Sequence, residues 1–264
     1  MREIAHQRGA DFAAALKRSG AETIDQFLRN RKDYAELGKL LITQILLRKE
    51  LDAIAHLPNG WNWLGRLFQM SIATKPAFEN PPFGIVTFNY DRIARFGLEM
   101  LVCENFRWEH ERARQFVGRI PIHHVYGHFL TPEAPIGRPG DLAHFARASD
   151  AMVNEACHGI RVVNDERNDD PNAFLEIQSL IRSAETVAFL GFGFDRTNLA
   201  RLGYLEGESD DKPRPARVLT TTVGMTRRQA ERVTQLLDLP TRIEATDQRD
   251  CHRLIGEEFD ESDF

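Results

Sequence analysis

Cysteine is scarce in this chain and poorly placed for its usual structural roles. Only Cys103, Cys157 and Cys251 occur, far apart and odd in number. No C-x-x-C pair exists, so neither a zinc ribbon nor a disulfide framework is indicated. A reducing, cytoplasmic setting fits that usage. Long apolar runs are missing as well, and none approaches the roughly 18 residues of a membrane span. Met1 to Gly20 are charged and contain no apolar h-region, so no secretory signal is expected. The same residues contain no glycine-rich phosphate loop. Basic charge is not in excess either. The formal net charge of -5 argues against a nucleic-acid binder, which would carry a basic patch and a high pI. No G-x-S-x-G elbow and no H-E-x-x-H helix occur, which leaves hydrolase-elbow and zincin chemistry without support. What remains is ordinary for a soluble globular protein, with 42% hydrophobic and 28% charged residues. A chain of this length can bury about 75% of its unfolded surface without staples.

Residues 8–56 have mostly helical patterning, broken at Ser19-Gly20. Thr23 and Gln26 have the spacing of a capping box. From Leu37 onward the apolar residues Leu37, Leu40, Leu41, Ile45 and Leu46 follow a 3.6-residue period. Asn59-Gly60 marks a turn. Trp61 to Met70 predicts a further amphipathic helix, and Pro76, Pro81 and Pro82 punctuate the chain after it. Strands and helices then alternate. Strand 84–88 precedes a helix over Asp91 to Glu104, and Ile120 to Val125 forms a second apolar run. Thr131 to Gly140 is a Pro/Gly-rich loop long enough to act as a lid. Asp141 to Cys157 suits a helix, Gly159 to Val163 a short strand, and Asn164 to Asn172 a solvated loop. A helix over Asn172 to Ser183, strand 186–190 and a helix around Asn198 to Leu205 come next. Glu206 to Pro215 is a polar insertion. Strand 216–222 leads to a helix capped by Thr226 and running through Leu237. Thr241 to Ala245 is the last strand candidate, and Glu257 to Phe264 an acidic, frayed tail.

Alternating strands and helices predict an α/β fold, a Rossmann-like doubly wound parallel sheet with an N-terminal helical cap or insertion. The expected division is a helical cap over 1–80, a Rossmann-like core over 81–255 and an acidic tail over 256–264. In open α/β sheets, ligands bind beyond the carboxyl ends of the strands. Two apolar runs end there in polar or flexible residues. Gly84-Ile-Val-Thr-Phe-Asn-Tyr-Asp91 places Asn89 and Asp91 at such an end, either facing the crevice or serving as a turn residue and a helix N-cap. Thr186-Val-Ala-Phe-Leu190 breaks into Gly191-Phe192-Gly193-Phe194, whose glycines allow backbone N–H groups to approach a phosphate or ribose. The same four residues also suit a plain strand–helix turn. Asp195, Thr197 and Asn198 either cap the next helix or face a ligand. His123, His124 and His128 lie in one strand–loop segment without matched metal-ligand spacing, so no metal is expected. One of them could act as a general base, since histidine titrates near neutrality.

Thr87-Phe-Asn-Tyr-Asp91, Ile122-His-His-Val-Tyr-Gly127 and Phe189-Leu-Gly-Phe-Gly-Phe194, in this order and spacing, resemble the sirtuin-like family of bacteria. The likeness is to the branch found in NAD-consuming anti-phage defence proteins, and it covers roughly residues 20 to 250. Glu22 to Leu28 and Leu37 to Leu40 resemble the family's helical part. The resemblance implies a Rossmann-type sheet that binds NAD and breaks its nicotinamide–ribose bond, developing oxocarbenium character on the ribose. It would give Asn89 the orienting of ribose and water. Gly191, Phe192 and Gly193 would line the phosphates and ribose, and Thr221 and Thr222 would contact the adenosine ribose. Asp91 and Gly127 complete the cofactor-binding set.

Two departures from the family leave the activity open. The family's Gly-Ala-Gly-type loop is absent, so either the chain is N-terminally shortened or it never had the loop. Losing the first βα unit would also expose apolar strand edges and favour self-association. Tyr126 stands where the family's catalytic histidine precedes a glycine, and tyrosine, with a pKa of about 10, is a poor base at neutral pH. His124, two residues earlier on the same strand face, and His128 are the replacements. The absence of a four-cysteine module argues against peptide deacylation. The expected functions are therefore an NAD glycohydrolase, a catalytically inactive module binding NAD or ADP-ribose, or an interaction protein.

Overall fold

The computed structural model describes residues 2–21, 24–56, 63–73, 81–129, 150–161, 172, 174–204, 215–237, 239, 243 and 248–264. Helix dominates. The first part of the chain is α1 (Arg2–Ser19), α2 (Ile24–Asn30), α3 (Ala35–His56) and α4 (Trp63–Ser71). These helices follow the apolar periodicity. In α4 the buried residues Leu64, Leu67, Phe68 and Ser71 recur at three- and four-residue spacing, the stripe that a core-facing helix requires. Next come β1 (Ile85–Thr87), α5 (Ile93–Phe106), α6 (His110–Val117), β2 (Ile122–His124) and α7 (Asp150–Cys157). The remainder holds α8 (Leu175–Ser183), β3 (Thr186–Phe189), α9 (Arg196–Arg201), β4 (Arg217–Thr220), α10 (Arg227–Leu236) and α11 (Cys251–Glu258).

The expected doubly wound sheet is not there. Among the described residues the strands form two separate parallel pairs, β1 with β2 and β3 with β4. Ile85, Val86 and Thr87 stand opposite Ile122, His123 and His124. Thr186 to Phe189 stand opposite Arg217 to Thr220. The physical reason lies in the strands themselves. They are three or four residues long, and most of their side chains are only half-buried. The centre of a doubly wound sheet needs strands buried on both faces. The residues described before β1 are helical or irregular and contribute no strand to join the pairs. Contact between the pairs instead includes aromatic rings, with Phe88 after β1 lying 5.2 Å from Phe192 after β3.

Two apolar clusters flank the β1–β2 pair. One gathers Leu98, Val102, Phe116, Phe68 and their neighbours from α4, α5 and α6, with Ile85 and Ile122 against it. The other spans α1 to α3, α7 to α10 and β3, with Val86 against it. Alternation along β1 sends Ile85 and Val86 to opposite faces, so this one pair separates the two cores.

Several predicted boundaries meet the structure differently. Gly159 to Val163 forms no strand over its described part. Ile160 makes only an isolated antiparallel bridge with Gly127, and the Arg161 N–H donates to the Tyr126 carbonyl at 2.8 Å. The C-terminal residues are not a frayed tail. Helix α11 runs to Glu258, a short 3-10 turn covers Glu261–Asp263, and Phe264 packs on Phe83 and Phe259. The Thr23 cap, the Asn59-Gly60 turn, the 131–140 loop and the 206–214 insertion lie outside the described residues, as does most of the 241–245 strand candidate. Among the described residues no helix is long and apolar enough to cross a membrane.

Candidate functional site

The carboxyl ends of β3 and β4 open onto a cavity of about 300 Å³. Its floor is the turn Gly191 to Phe194, and one wall is the loop Thr221, Val223, Gly224 and Met225. Helix α10 closes it with Gln229, Arg232, Val233 and Leu236. The turn keeps its shape through two left-handed residues, Gly191 at φ 62° and Phe194 at φ 54°. Glycine adopts that conformation freely, whereas phenylalanine is strained in it. Burial holds Phe194 there, with its ring 5.3 Å from Phe189 and 5.1 Å from Phe192. On the far side the Thr226 hydroxyl accepts the Gln229 N–H, and the Gln229 side chain accepts the Thr226 N–H. This reciprocal capping engages donors at the start of α10 and fixes the helix against the loop.

Four of the residues named from the sequence therefore share one cavity: Gly191, Phe192, Gly193 and Thr221. The Gly191 N–H, however, donates to the Thr221 Oγ1 at 2.9 Å. That donor is engaged within the protein and is not presented to a phosphate. Thr222 is fully buried behind the cavity, where its hydroxyl accepts the Arg249 N–H and its own N–H donates to the Arg249 carbonyl. It clamps the chain ahead of α11.

The residues around β1 and β2 have other tasks. Tyr126 is buried, and its hydroxyl donates to the Asn198 Oδ1 at 2.6 Å while accepting from the Arg201 guanidinium. A phenol so engaged links β2 to α9 and is not free to act as a base. Gly127, at φ 76°, lies against the Gly159 carbonyl where a Cβ would overlap it, so its glycine is required by backbone packing. The Asp91 carboxylate accepts the Ile93 N–H at 3.2 Å, the helix-start role weighed for it. Asp195 does the same for α9, accepting from Thr197 and Asn198. Asn89 is exposed, with its N–H donating to Thr87 Oγ1 and its carbonyl accepting from the His124 Nδ1 at 3.0 Å. Burial pushes the His124 imidazole below its ordinary pKa, opposed by the hydrogen bond to Asn89 and by Asp91. His128 and Arg95 push it the same way as burial. His124 is therefore neutral at neutral pH. All three cysteine thiols are pushed up by burial, so none is set up as a nucleophile. Among the described residues no three or more His, Cys, Asp or Glu side chains gather as a metal-binding group.

No protein-family model matches this chain, and neither does any curated protein or solved structure. The expectations that rested on a Rossmann core fail on the fold itself. NAD binding, NAD cleavage and an ADP-ribose partner all required one sheet with a crevice at its switch point. Among the described residues two separate pairs stand in its place. The cavity at β3 and β4 is also at the small end of ligand pockets, which run from about 300 to 1,000 Å³. Sequence reasoning missed the contribution of α10, including Gln229, Arg232 and Leu236. The helix and its Thr226 cap were legible, but nothing in them shows which loop the helix faces.

Proposed function

We propose that this chain is a binding protein for a compact organic anion, held between the Gly191–Phe194 turn, the Thr221–Met225 loop and α10. The observation that carries the reading is the cavity itself: small, partly lined by rings and aliphatic side chains, with one cation among its residues. Phe192, Val223, Met225 and Leu236 supply apolar surface for the body of a ligand. Val223 is 61% exposed, an apolar group left in water that a ligand would cover. Arg232 supplies a planar guanidinium that suits a carboxylate or similar anion through two parallel hydrogen bonds. Gln229 is held by its cap and gives a fixed polar edge. The exposed lining is more polar than apolar, which suits a charged ligand with a small apolar body.

Phenylacetate is a suitable probe, with phenethyl alcohol as its uncharged counterpart. Backbone amide shifts of Gly193, Gly224 and Met225 should move on titration with phenylacetate and move much less with the alcohol. In Arg232→Gln the affinity should fall about ten- to hundredfold, the loss of a charge-assisted hydrogen bond worth about 1.5–3 kcal/mol. Shifts that are absent, or that survive Arg232→Gln unchanged, would remove the basis for this assignment.

A further inference from the structure

We propose that His124 and His128 form a divalent-metal site, holding a zinc ion through their two Nε2 atoms with water completing the coordination. This inference is independent of the anion-binding cavity. Three observations carry it.

First, both rings have a fixed tautomer. The His124 Nδ1 lies 3.0 Å from the Asn89 carbonyl, and the His128 Nδ1 lies 3.1 Å from the Phe129 carbonyl. A carbonyl oxygen only accepts, so each Nδ1 carries the proton. In the neutral ring the lone pair is then on Nε2. Metal-binding histidines are held in this way, one nitrogen donating to a carbonyl while the other faces the ion.

Second, the ring centres are as far apart as those of two imidazoles sharing one ion. Two imidazoles binding zinc through Nε2 at about 2.0–2.1 Å, at a tetrahedral angle, have ring centres about 5.2 Å apart. The centres of His124 and His128 lie 5.1 Å apart, with ring planes at 62°. Spacing alone does not predict this, because the four residues fall across a break at Gly127. The structure closes the distance by turning the chain there, where Gly127 takes φ 76°.

Third, the surroundings suit a cation with open coordination positions. The carboxylate of Asp91 acts electrostatically on His124, although Arg95 opposes it. Asn89 is exposed beside the pair. His128 is itself exposed, which gives the ion a path from solvent. Two protein ligands leave the remaining positions to water, one protein ligand fewer than the three of a catalytic zinc site.

His123 and the Cys103–His110 pair supply the controls. His123 points to the opposite face of β2, 4.0 Å from Glu176. Cys103 Sγ lies 3.5 Å from the His110 Nδ1, another place where zinc could lodge. The experiment is calorimetric titration of the full chain with zinc chloride near pH 7.5, repeated with cobalt(II) chloride and read by visible absorption. One saturable equivalent is expected, together with the intense visible bands of four-coordinate cobalt. His128→Asn should weaken binding by about tenfold or more, as even supporting residues of metal sites do. Because His128 is exposed, its melting temperature without zinc should not change. His123→Asn and Cys103→Ser should bind as the parent does. No saturable equivalent, or one that survives His128→Asn, would overturn the proposal. Loss of binding in Cys103→Ser would overturn it too, by placing the ion at that pair.

Discussion

Tyr204 is a buried residue whose hydroxyl makes no hydrogen bond among the described residues. Burial alone pushes its phenol up to about 12. A buried hydroxyl without a partner costs about 1–3 kcal/mol, so removing it should help. Tyr204→Phe keeps the ring contact with Phe189, 5.7 Å between centres, and deletes the orphaned group. The expected result is a gain of about 1 kcal/mol in urea unfolding. The gain should be larger in alkali. A phenol whose folded pKa is raised contributes stability below its unfolded pKa of about 10, and that contribution is lost as pH rises toward 12. A hidden partner for the hydroxyl would reveal itself as a loss of stability in the variant. Phe194 is the opposite case, where a strained residue is kept. Its φ of 54° belongs to glycine by conformation, yet its ring is wedged between Phe189 and Phe192. Strain of this kind persists only where the surroundings over-determine it, and here it shapes the turn at the cavity.

At the scale of elements, one buried ion pair ties α3 to the start of α5. Glu50 on α3 is fully buried. Its Oε1 accepts from the Arg92 backbone N–H at 2.6 Å and from Arg92 Nε at 3.1 Å, while Oε2 accepts from Arg92 Nη2 at 3.1 Å. A carboxylate at a helix start is favoured by the helix dipole, and this one also satisfies a backbone donor. Removing one member of a buried pair leaves the other charge uncompensated, at about 3–5 kcal/mol. Glu50→Ala should therefore lower stability by about that amount, measured by chemical denaturation. A change under about 1 kcal/mol would show that the guanidinium finds water instead. The sequence carried no sign of this pair, since 42 positions separate Glu50 from Arg92. Local signals were legible where one element contains its own explanation. Thr226 caps α10 as expected, and apolar patterning located α3 and α4. At the candidate site the turn residues Gly191 to Gly193 and Thr221 could be read from strand endings. The partners of Tyr126, Thr222 and Gly127 could not. Each is fixed by a residue more than 20 positions away, and no local pattern encodes which surfaces meet.

The whole molecule shows the same limit. The strand-like runs 84–88, 120–125, 186–190 and 216–222 each contain a strand, at 85–87, 122–124, 186–189 and 217–220, but strand pairing is a long-range property that short runs do not specify. Besides β3, the C-terminal segment holds β4 in place. Arg217 donates to the Glu258 carbonyl at 2.6 Å and to its carboxylate at 2.8 Å, and Arg249 bonds the same carboxylate. Arg66 on α4 donates to the Gly256 carbonyl at 3.0 Å, so α11 joins β4 to the helical cluster that contains α4. Phe264 completes this arrangement, with ring centres 6.4 Å from Phe83 and 5.8 Å from Phe259. Aromatic pairs of this kind contribute about 0.5–1.5 kcal/mol each beyond the area they bury. Phe264→Ala removes both and should cost about 1–3 kcal/mol. That corresponds to a fall in melting temperature of roughly 2–4 °C per kcal/mol for a chain of this size. Faster amide exchange should accompany it along β4 and α11, which lose their outer cover together. An acidic tail that merely frays would give neither effect, because a ring already in water has no contacts to lose.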